Sequence, residues 1–113
     1  MGASLFAGIS VADFDAAKGW YARLFGSEPS FLPHDTEAVW ELAEDRYVFI
    51  LEDAARAGNA HHTIFVDELD PLIARIAERG LEPTTREEYA NGVRKATFRD
   101  ADGNEIGFGG GPA

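Results

Sequence analysis

Residues 11–29 read VADFDAAKGWYARLFGSEP, and a second copy of this skeleton follows at 66–83 as VDELDPLIARIAERGLEP. The matching pairs are Val11/Val66, Phe14/Leu69, Asp15/Asp70, Gly26/Gly80, Glu28/Glu82 and Pro29/Pro83. The offset is 55 for the first three pairs and 54 for the last three, so one helix is a residue shorter in the second copy. Two similar halves predict one domain with an internal pseudo-two-fold axis, because a solenoid needs at least about three stacked repeats.

Hydrophobic spacing in each copy indicates a strand, a helix and three further strands. Residues 5–11 alternate between bulky and small or polar side chains, which is typical of a strand with one face in the core. Asp13 is the predicted N-cap of the first helix, whose apolar residues recur every three or four positions until Gly26. In the second copy Asp70 is the predicted N-cap and Pro71 the first helical residue. The predicted order is a strand at 5–11, a helix ending at Gly26, a strand at 28–32, a turn at 33–36, strands at 37–43 and 46–52, a connector at 53–60, a strand at 61–66, a helix at 70–79, strands at 82–87, 93–99 and 104–108, and a frayed tail at 109–113.

This order predicts an α+β fold built from a duplicated βαβββ module. The first module spans about residues 4–52 and the second about 61–108, within a single domain of residues 1–113. Together the modules are expected to form a curved mixed sheet with the helices on its outer face.

Composition narrows the classes of partner. The chain has 113 residues, 45% of them hydrophobic, and its 20 acidic and 10 basic residues give a net charge of -10. Nucleic acid and anionic membranes would be repelled, whereas a cationic ligand would be attracted. The absence of cysteine excludes disulfides and thiolate chemistry. No apolar run approaches the roughly 18 residues that span a bilayer, and we expect a soluble cytoplasmic protein.

Several short motifs carry a resemblance to a known family. They are Val11, Asp13, Trp20, Tyr21, Leu24 and Gly26 around the first helix, Val66 and Asp67 before the second, and the run Asp100–Asn104 before the last strand. With the duplicated module, they resemble the vicinal oxygen chelate superfamily, which includes glyoxalase I, extradiol dioxygenases, fosfomycin-resistance enzymes and bleomycin-resistance proteins. The resemblance covers residues 5–108 and implies the fold more firmly than the chemistry, because one fold serves many reactions.

The resemblance also implies four inward-pointing positions that hold a metal ion in the metal-using relatives. Carried onto this chain, they fall on Phe6, Ile50, His61 and Gly107. Only His61 has a side chain that can coordinate a divalent cation, and a single histidine does not retain one. A two-residue shift of register would instead bring Glu52 and Glu105 beside His61, giving a weaker alternative with three ligands.

Without a metal, the same positions would form an apolar pocket. Phe6 and Ile50 would be its walls, with Thr63 and Phe65 on the same strand face as His61. His61 is then either a hydrogen-bonding group in the pocket or a structural histidine. The remaining candidate ligand-binding residues are Gly107 and Trp40, the latter in a middle strand where it either packs in the core or lines the pocket.

Three hypotheses for function follow. The first is a protein of the glyoxalase/bleomycin-resistance type that binds an apolar or cationic aromatic compound without metal or catalysis. The second is a metal-dependent lyase, isomerase or dioxygenase of the glyoxalase type, using Glu52, His61 and Glu105. The third is metal-free acid/base chemistry at His61 with one of those two glutamates. By resemblance, we expect a homodimer whose pockets are completed by the partner chain.

Overall fold

A computed structural model describes residues 2–112 of the chain. Two helices and eight strands follow one another in the predicted βαβββ order, repeated once. They are β1 Leu5–Val11, α1 Phe14–Phe25, β2 Phe31–His34, β3 Glu37–Ala43, β4 Arg46–Glu52, β5 His61–Phe65, α2 Leu69–Glu78, β6 Thr85–Glu88, β7 Arg94–Arg99 and β8 Glu105–Gly110. The predicted α+β class is therefore confirmed. Neither helix within the described range has the length and hydrophobicity needed to cross a membrane.

The strands form two mixed four-stranded sheets, one in each module. Their orders are β1-β4-β3-β2 and β5-β8-β7-β6, with β1/β4 and β5/β8 parallel and the other neighbours antiparallel. Among residues 2–112 no strand ladder joins β1 to β5, so the expected curved sheet is divided in two where the modules meet. The open edges of β1 and β5 consequently lie at the centre of the molecule.

One hydrophobic core is shared by both modules and lies between the sheets and the helices. The apolar stripe of α1 buries Phe14, Tyr21 and Leu24, and that of α2 buries Ile73 and Ile76. Strand alternation determines which sheet residues join them. On the helix side lie Ile9, Val11, Ala38, Trp40, Val48, Ile50, Ala96, Phe98, Ile106 and Phe108, all buried.

The ends of α1 match the sequence prediction. Asp13 accepts a hydrogen bond from the Ala16 backbone N–H at 3.2 Å, and Gly26 closes the helix with a positive φ of 79°. That left-handed conformation carries little steric cost for glycine, which explains its position after the last turn.

The start of α2 differs from the prediction. Helix α2 begins at Leu69, with Glu68 at the cap position and no side-chain capping bond, so Asp70 is not the N-cap and Pro71 is the third helical residue. The Asp70 carboxylate instead receives two 2.8 Å hydrogen bonds from Arg94 on β7. A tertiary ion pair therefore takes the carboxylate that local sequence rules assigned to the helix end.

Strand boundaries also required correction. Strand β2 begins at Phe31 rather than residue 28 and includes Pro33 and His34, which were predicted in a turn. Strand β6 begins at Thr85 rather than 82. The predicted tail is partly ordered: Gly109 and Gly110 are buried in β8, where the absence of side chains leaves room for Phe65 and Leu69 respectively. Residue 113 of that tail lies outside the described residues.

Candidate functional site

A buried polar network joins the two modules just beyond the C-terminal end of β1. The Asn104 side chain, 0% exposed, donates to the Ser10 carbonyl at 2.9 Å and to Asp100 Oδ2 at 2.8 Å. Its Oδ1 accepts from the Ala60 N–H at 2.9 Å. In the same turn, Asp102 accepts from the Ala12 N–H at 3.0 Å. We call the turn at 100–104 the latch, because this second-module turn binds backbone groups of the first module and of the connector.

Helix α1 is tied to the latch through Tyr21. The Tyr21 hydroxyl donates to Asp100 Oδ2 at 2.7 Å, and Asp100 Oδ1 accepts from the backbone N–H groups of Asp102 and Asn104 at 2.9 Å each. Burial, followed by the negative charge of Asp100, raises the pKa of Tyr21 well above its ordinary value of 10.0. The hydroxyl therefore remains a donor at neutral pH, and the network has no unsatisfied buried side-chain atom within residues 2–112.

The turn at 44–45 is the first-module counterpart of the latch and lies at the N-terminal end of β1, where it makes no hydrogen bond to the second module within the described residues. The turn at 44–45 bonds within its own module: Asp45 accepts from the Leu5 N–H at 2.9 Å and from the Ser4 hydroxyl at 3.0 Å. Between the open edges of β5 and β1, the His62 ring donates a hydrogen bond to the Gly8 carbonyl at 3.1 Å. Beyond that bond the modules separate.

The space between the separated strand edges is a groove of about 690 Å³. We call it the inter-module groove. It is lined by Leu5, Ala7, Leu42, Ala43, Arg46, Tyr47, Val48, His61, His62, Thr63, Ile64, Phe65 and Val66. Several of these side chains are large, apolar and open to solvent, including Leu5 at 67% and Phe65 at 65% exposure. An open groove of this composition can bind the apolar part of a small molecule.

The structure brings some of the predicted ligand-binding residues together. His61, Thr63 and Phe65 all line the inter-module groove. Phe6 lies directly beside it, because its ring stacks on the groove residue Tyr47 with centroids 4.3 Å apart. The lining also includes the residues that alternate with them on β5, His62 and Ile64, so the groove is open to both faces of this edge strand.

Other predicted pocket residues are elsewhere. Trp40 and Ile50 are 1% and 0% exposed and belong to the core, so they do not form pocket walls. Trp40 packs against the Phe25 ring at 5.6 Å and donates to the Ser27 carbonyl at 2.9 Å. Gly107 is buried beneath the aliphatic chain of Lys95, which occupies the space that a Cβ would take.

The alternative metal ligands do not gather into one site. Glu52 accepts from the Phe14 N–H at 3.2 Å, at the start of α1. Glu105 lies 3.8 Å from the His61 ring and is held by Arg99 at 2.6 Å. The hydrogen bond from Arg99 lowers the pKa of Glu105 below its ordinary value of 4.5. No three His, Cys, Asp or Glu side chains among residues 2–112 are grouped to hold a metal ion, so this donor set does not fit one.

Most of the groove residues were not predicted as site residues, among them Leu5, Leu42 and Arg46. The latch was visible as a turn motif, but its contacts to Ser10 and Ala60 span 94 and 44 residues and could not be inferred from local spacing.

Comparison with known proteins places this geometry in context. The family model for the Glyoxalase/Bleomycin resistance protein/Dioxygenase superfamily matches residues 5–108. A glyoxalase/bleomycin resistance protein from Catenulispora acidiphila DSM 44928 is 50% identical, with a TM-score of 0.95 and coverage of 98% of this chain and 100% of that chain. No curated protein matches the chain.

Two more distant structures share the fold. TnmS3, an antibiotic binding protein from Streptomyces sp. CB03234, is 23% identical with a TM-score of 0.73, covering 100% of this chain and 98% of that chain. Lactoylglutathione lyase from Agrobacterium tumefaciens is 19% identical with a TM-score of 0.76, covering 98% of this chain and 95% of that chain. At these identities the likeness concerns the fold alone.

Proposed function

This chain belongs to the glyoxalase/bleomycin resistance protein/dioxygenase superfamily, and from that premise we propose that it is a small-molecule-binding protein that takes an apolar, aromatic ligand into the inter-module groove without a metal ion. The observation that carries the proposal is the groove itself. Its volume of about 690 Å³ falls within the usual range of small-molecule pockets. Its lining includes several aliphatic and aromatic side chains, which suit a flat apolar ligand.

The donor chemistry of the chain supports binding without metal. Glu105 is engaged by Arg99, and Glu52 is engaged by the start of α1. A metal-dependent lyase, isomerase or dioxygenase would need a third ligand beside His61 and Glu105, and residues 2–112 hold no such group. Full-occupancy nickel, zinc, manganese or iron in protein purified without chelator, lost in His61→Ala, would favour that enzyme instead.

Exposed apolar side chains at the groove support the homodimer that the resemblance implies. Leu5 and Phe65 line the groove, and Phe6 stacks on the groove residue Tyr47. These three apolar side chains are 67%, 65% and 48% exposed. A second copy placed there would cover these side chains and enclose the ligand. Sedimentation velocity on the purified chain tests this: a monomer at micromolar concentration would contradict it.

Ligand binding can be tested with a neutral aromatic dye. N-phenylnaphthylamine fluoresces when it enters an apolar site, and we expect saturable binding to the wild-type protein. Phe65→Ser should weaken its affinity by about fivefold, because the substitution removes most of an aromatic contact worth about 1 kcal/mol or more. Phe31→Ser is the matched control, since Phe31 is 47% exposed on β2 and does not line the groove.

The result that opposes the proposal is clear. Absence of saturable dye binding, or equal effects of Phe65→Ser and Phe31→Ser, would show that the groove does not bind apolar ligands.

A further inference from the structure

We propose that the inter-module groove selects ligands that carry an anionic group on their apolar body, and that Arg46 binds that group. This inference rests on the proposed function and specifies the class of ligand. It opposes the expectation from net charge, by which a cationic compound would be favoured.

The charge of the groove differs from the charge of the chain. Acidic residues outnumber basic ones by 20 to 10 in the whole sequence, yet no Asp or Glu lines the groove. Among the lining residues, the one that carries a permanent charge is Arg46. A cationic ligand would therefore meet like charge in the groove, whereas an anion would meet a local positive field.

Arg46 has donors to spare. It is the first residue of β4, exposed, and paired through its backbone with Leu5 at the rim of the groove. None of the ion pairs within residues 2–112 includes Arg46. Its planar guanidinium fits carboxylate, sulfonate or phosphonate oxygens with two parallel hydrogen bonds.

The carboxylates nearest to Arg46 in sequence are Asp45 and Glu44, and neither forms an ion pair with it within residues 2–112. Asp45 accepts from the Ser4 hydroxyl at 3.0 Å, and Glu41 accepts from the Tyr47 hydroxyl at 3.3 Å. On the β5 side, Glu105 is bonded to Arg99 at 2.6 Å. These contacts leave the Arg46 guanidinium available to a ligand bound in the inter-module groove.

Two dyes with the same ring system separate the inference from the function on which it rests. N-phenylnaphthylamine is neutral, and anilinonaphthalene sulfonate adds one sulfonate to the same rings. We expect the sulfonate to bind the wild-type protein at least about threefold more tightly, although it is the more hydrophilic compound. Raising the salt concentration from about 50 to about 500 mM should remove most of this preference, because the charge interaction is open to solvent.

The variant Arg46→Gln identifies the residue. It should weaken sulfonate binding about fivefold and leave the neutral dye within about twofold, as expected for a solvent-accessible ion pair of about 1 kcal/mol. Arg56→Gln is the matched control, because Arg56 is exposed in the connector and lies outside the groove. It removes the same charge and should change neither dye.

Each outcome has a definite meaning. If the neutral dye binds through Phe65 but the sulfonate gains nothing, or if Arg46→Gln and Arg56→Gln behave alike, the anion preference is wrong and the proposed function stands. If neither dye depends on Phe65, the proposed function is wrong and the anion preference falls with it.

Discussion

Replacing Asn104 by alanine tests whether the latch holds the two modules together. The carboxamide makes three hydrogen bonds: 2.9 Å to the Ser10 carbonyl, 2.8 Å to Asp100 and 2.9 Å from the Ala60 N–H. Asn104→Ala removes all three at a position that is 0% exposed. Ser10 lies in the first module and Asn104 in the second, so part of the loss falls on the contact between the modules, and the rest falls on the connector residue Ala60 and on Asp100.

The expected cost can be worked out from these bonds. Each buried hydrogen bond contributes about 1 kcal/mol net, and a buried partner left unsatisfied costs about 1–3 kcal/mol. Ser10 and Ala60 are half-buried, so water satisfies part of their demand and the lower values apply. We expect Asn104→Ala to lower the free energy of unfolding by about 3 kcal/mol, a large share of the roughly 5–15 kcal/mol typical of a domain.

Urea denaturation measures this change, with Asn59→Ala as the control. Asn59 donates one 3.2 Å bond to the Arg56 carbonyl from an exposed position, so its loss should cost less than about 0.5 kcal/mol. Amide hydrogen exchange at Ala60 should accelerate in Asn104→Ala and stay unchanged in Asn59→Ala. A difference below about 1 kcal/mol between the two variants would refute the latch as an energetic link.

Three further predictions concern the groups around the latch and the groove. Tyr21→Phe removes the 2.7 Å bond to Asp100 and should cost about 2 kcal/mol near neutral pH. Because the unfolded chain loses the Tyr21 proton near pH 10.0 while the raised folded pKa retains it, wild-type stability should fall above that pH, and less so in Tyr21→Phe, as alkaline urea titrations would show. For Glu105, NMR titration should give a pKa below 4.5 that returns toward 4.5 in Arg99→Gln, and an unchanged pKa in that variant would contradict the Arg99 bond as the cause. Because the folded pKa is lowered, the small contribution of this ion pair to stability is lost as the pH falls below 4.5. Gly58→Ala should lower the free energy of unfolding by about 2 kcal/mol or more, since φ is 93° and a Cβ would lie 2.5 Å from the Asp102 carbonyl oxygen. Gly107→Ala should lower it by less than about 0.5 kcal/mol, because the flexible Lys95 side chain can move aside. Equal melting temperatures for the two variants would refute this comparison.

Sequence periodicity predicted the architecture because the duplication repeats every local signal. The limits of β3 and β4, the Asp13 cap and the Gly26 end of α1 all agree with the structure. Boundaries were wrong where tertiary contacts outweigh local preference. Asp70 pairs with Arg94 instead of capping α2, and the glycines after residue 108 continue β8 because neighbouring side chains fill their space.

The site was harder to predict because alternation shows which residues share a face without showing which face meets the core. Phe6 and Ile50 were assigned to one pocket, yet the β1/β4 register pairs Phe6 with Tyr47 and Ile9 with Ile50. Successive pairs in a ladder point to alternate faces, and these two pairs are three positions apart, so Phe6 and Ile50 point to opposite faces of the sheet. The apolar neighbours Val48 and Trp40 place Ile50 on the helix side.

The pseudo-two-fold axis relates Arg46, at the rim of the groove, to Asn104 in the latch. Phe6 pairs with Tyr47 in the first module, and its counterpart His61 pairs with Glu105 in the second. The residues before these partners, Arg46 and Asn104, therefore occupy equivalent positions. Asn104 is short and uncharged, and its buried side chain binds backbone groups of the first module and of the connector.

An arginine at the equivalent position cannot make that contact. Its longer, charged side chain carries a desolvation cost that burial without a carboxylate partner would not offset, so Arg46 stays exposed at the surface. The first-module turn is left without a bond to β5, and the strand edges separate beside Leu5. The two equivalent positions thus have different environments: Asn104 is buried in the network between the modules, and Arg46 is exposed at the rim of the groove.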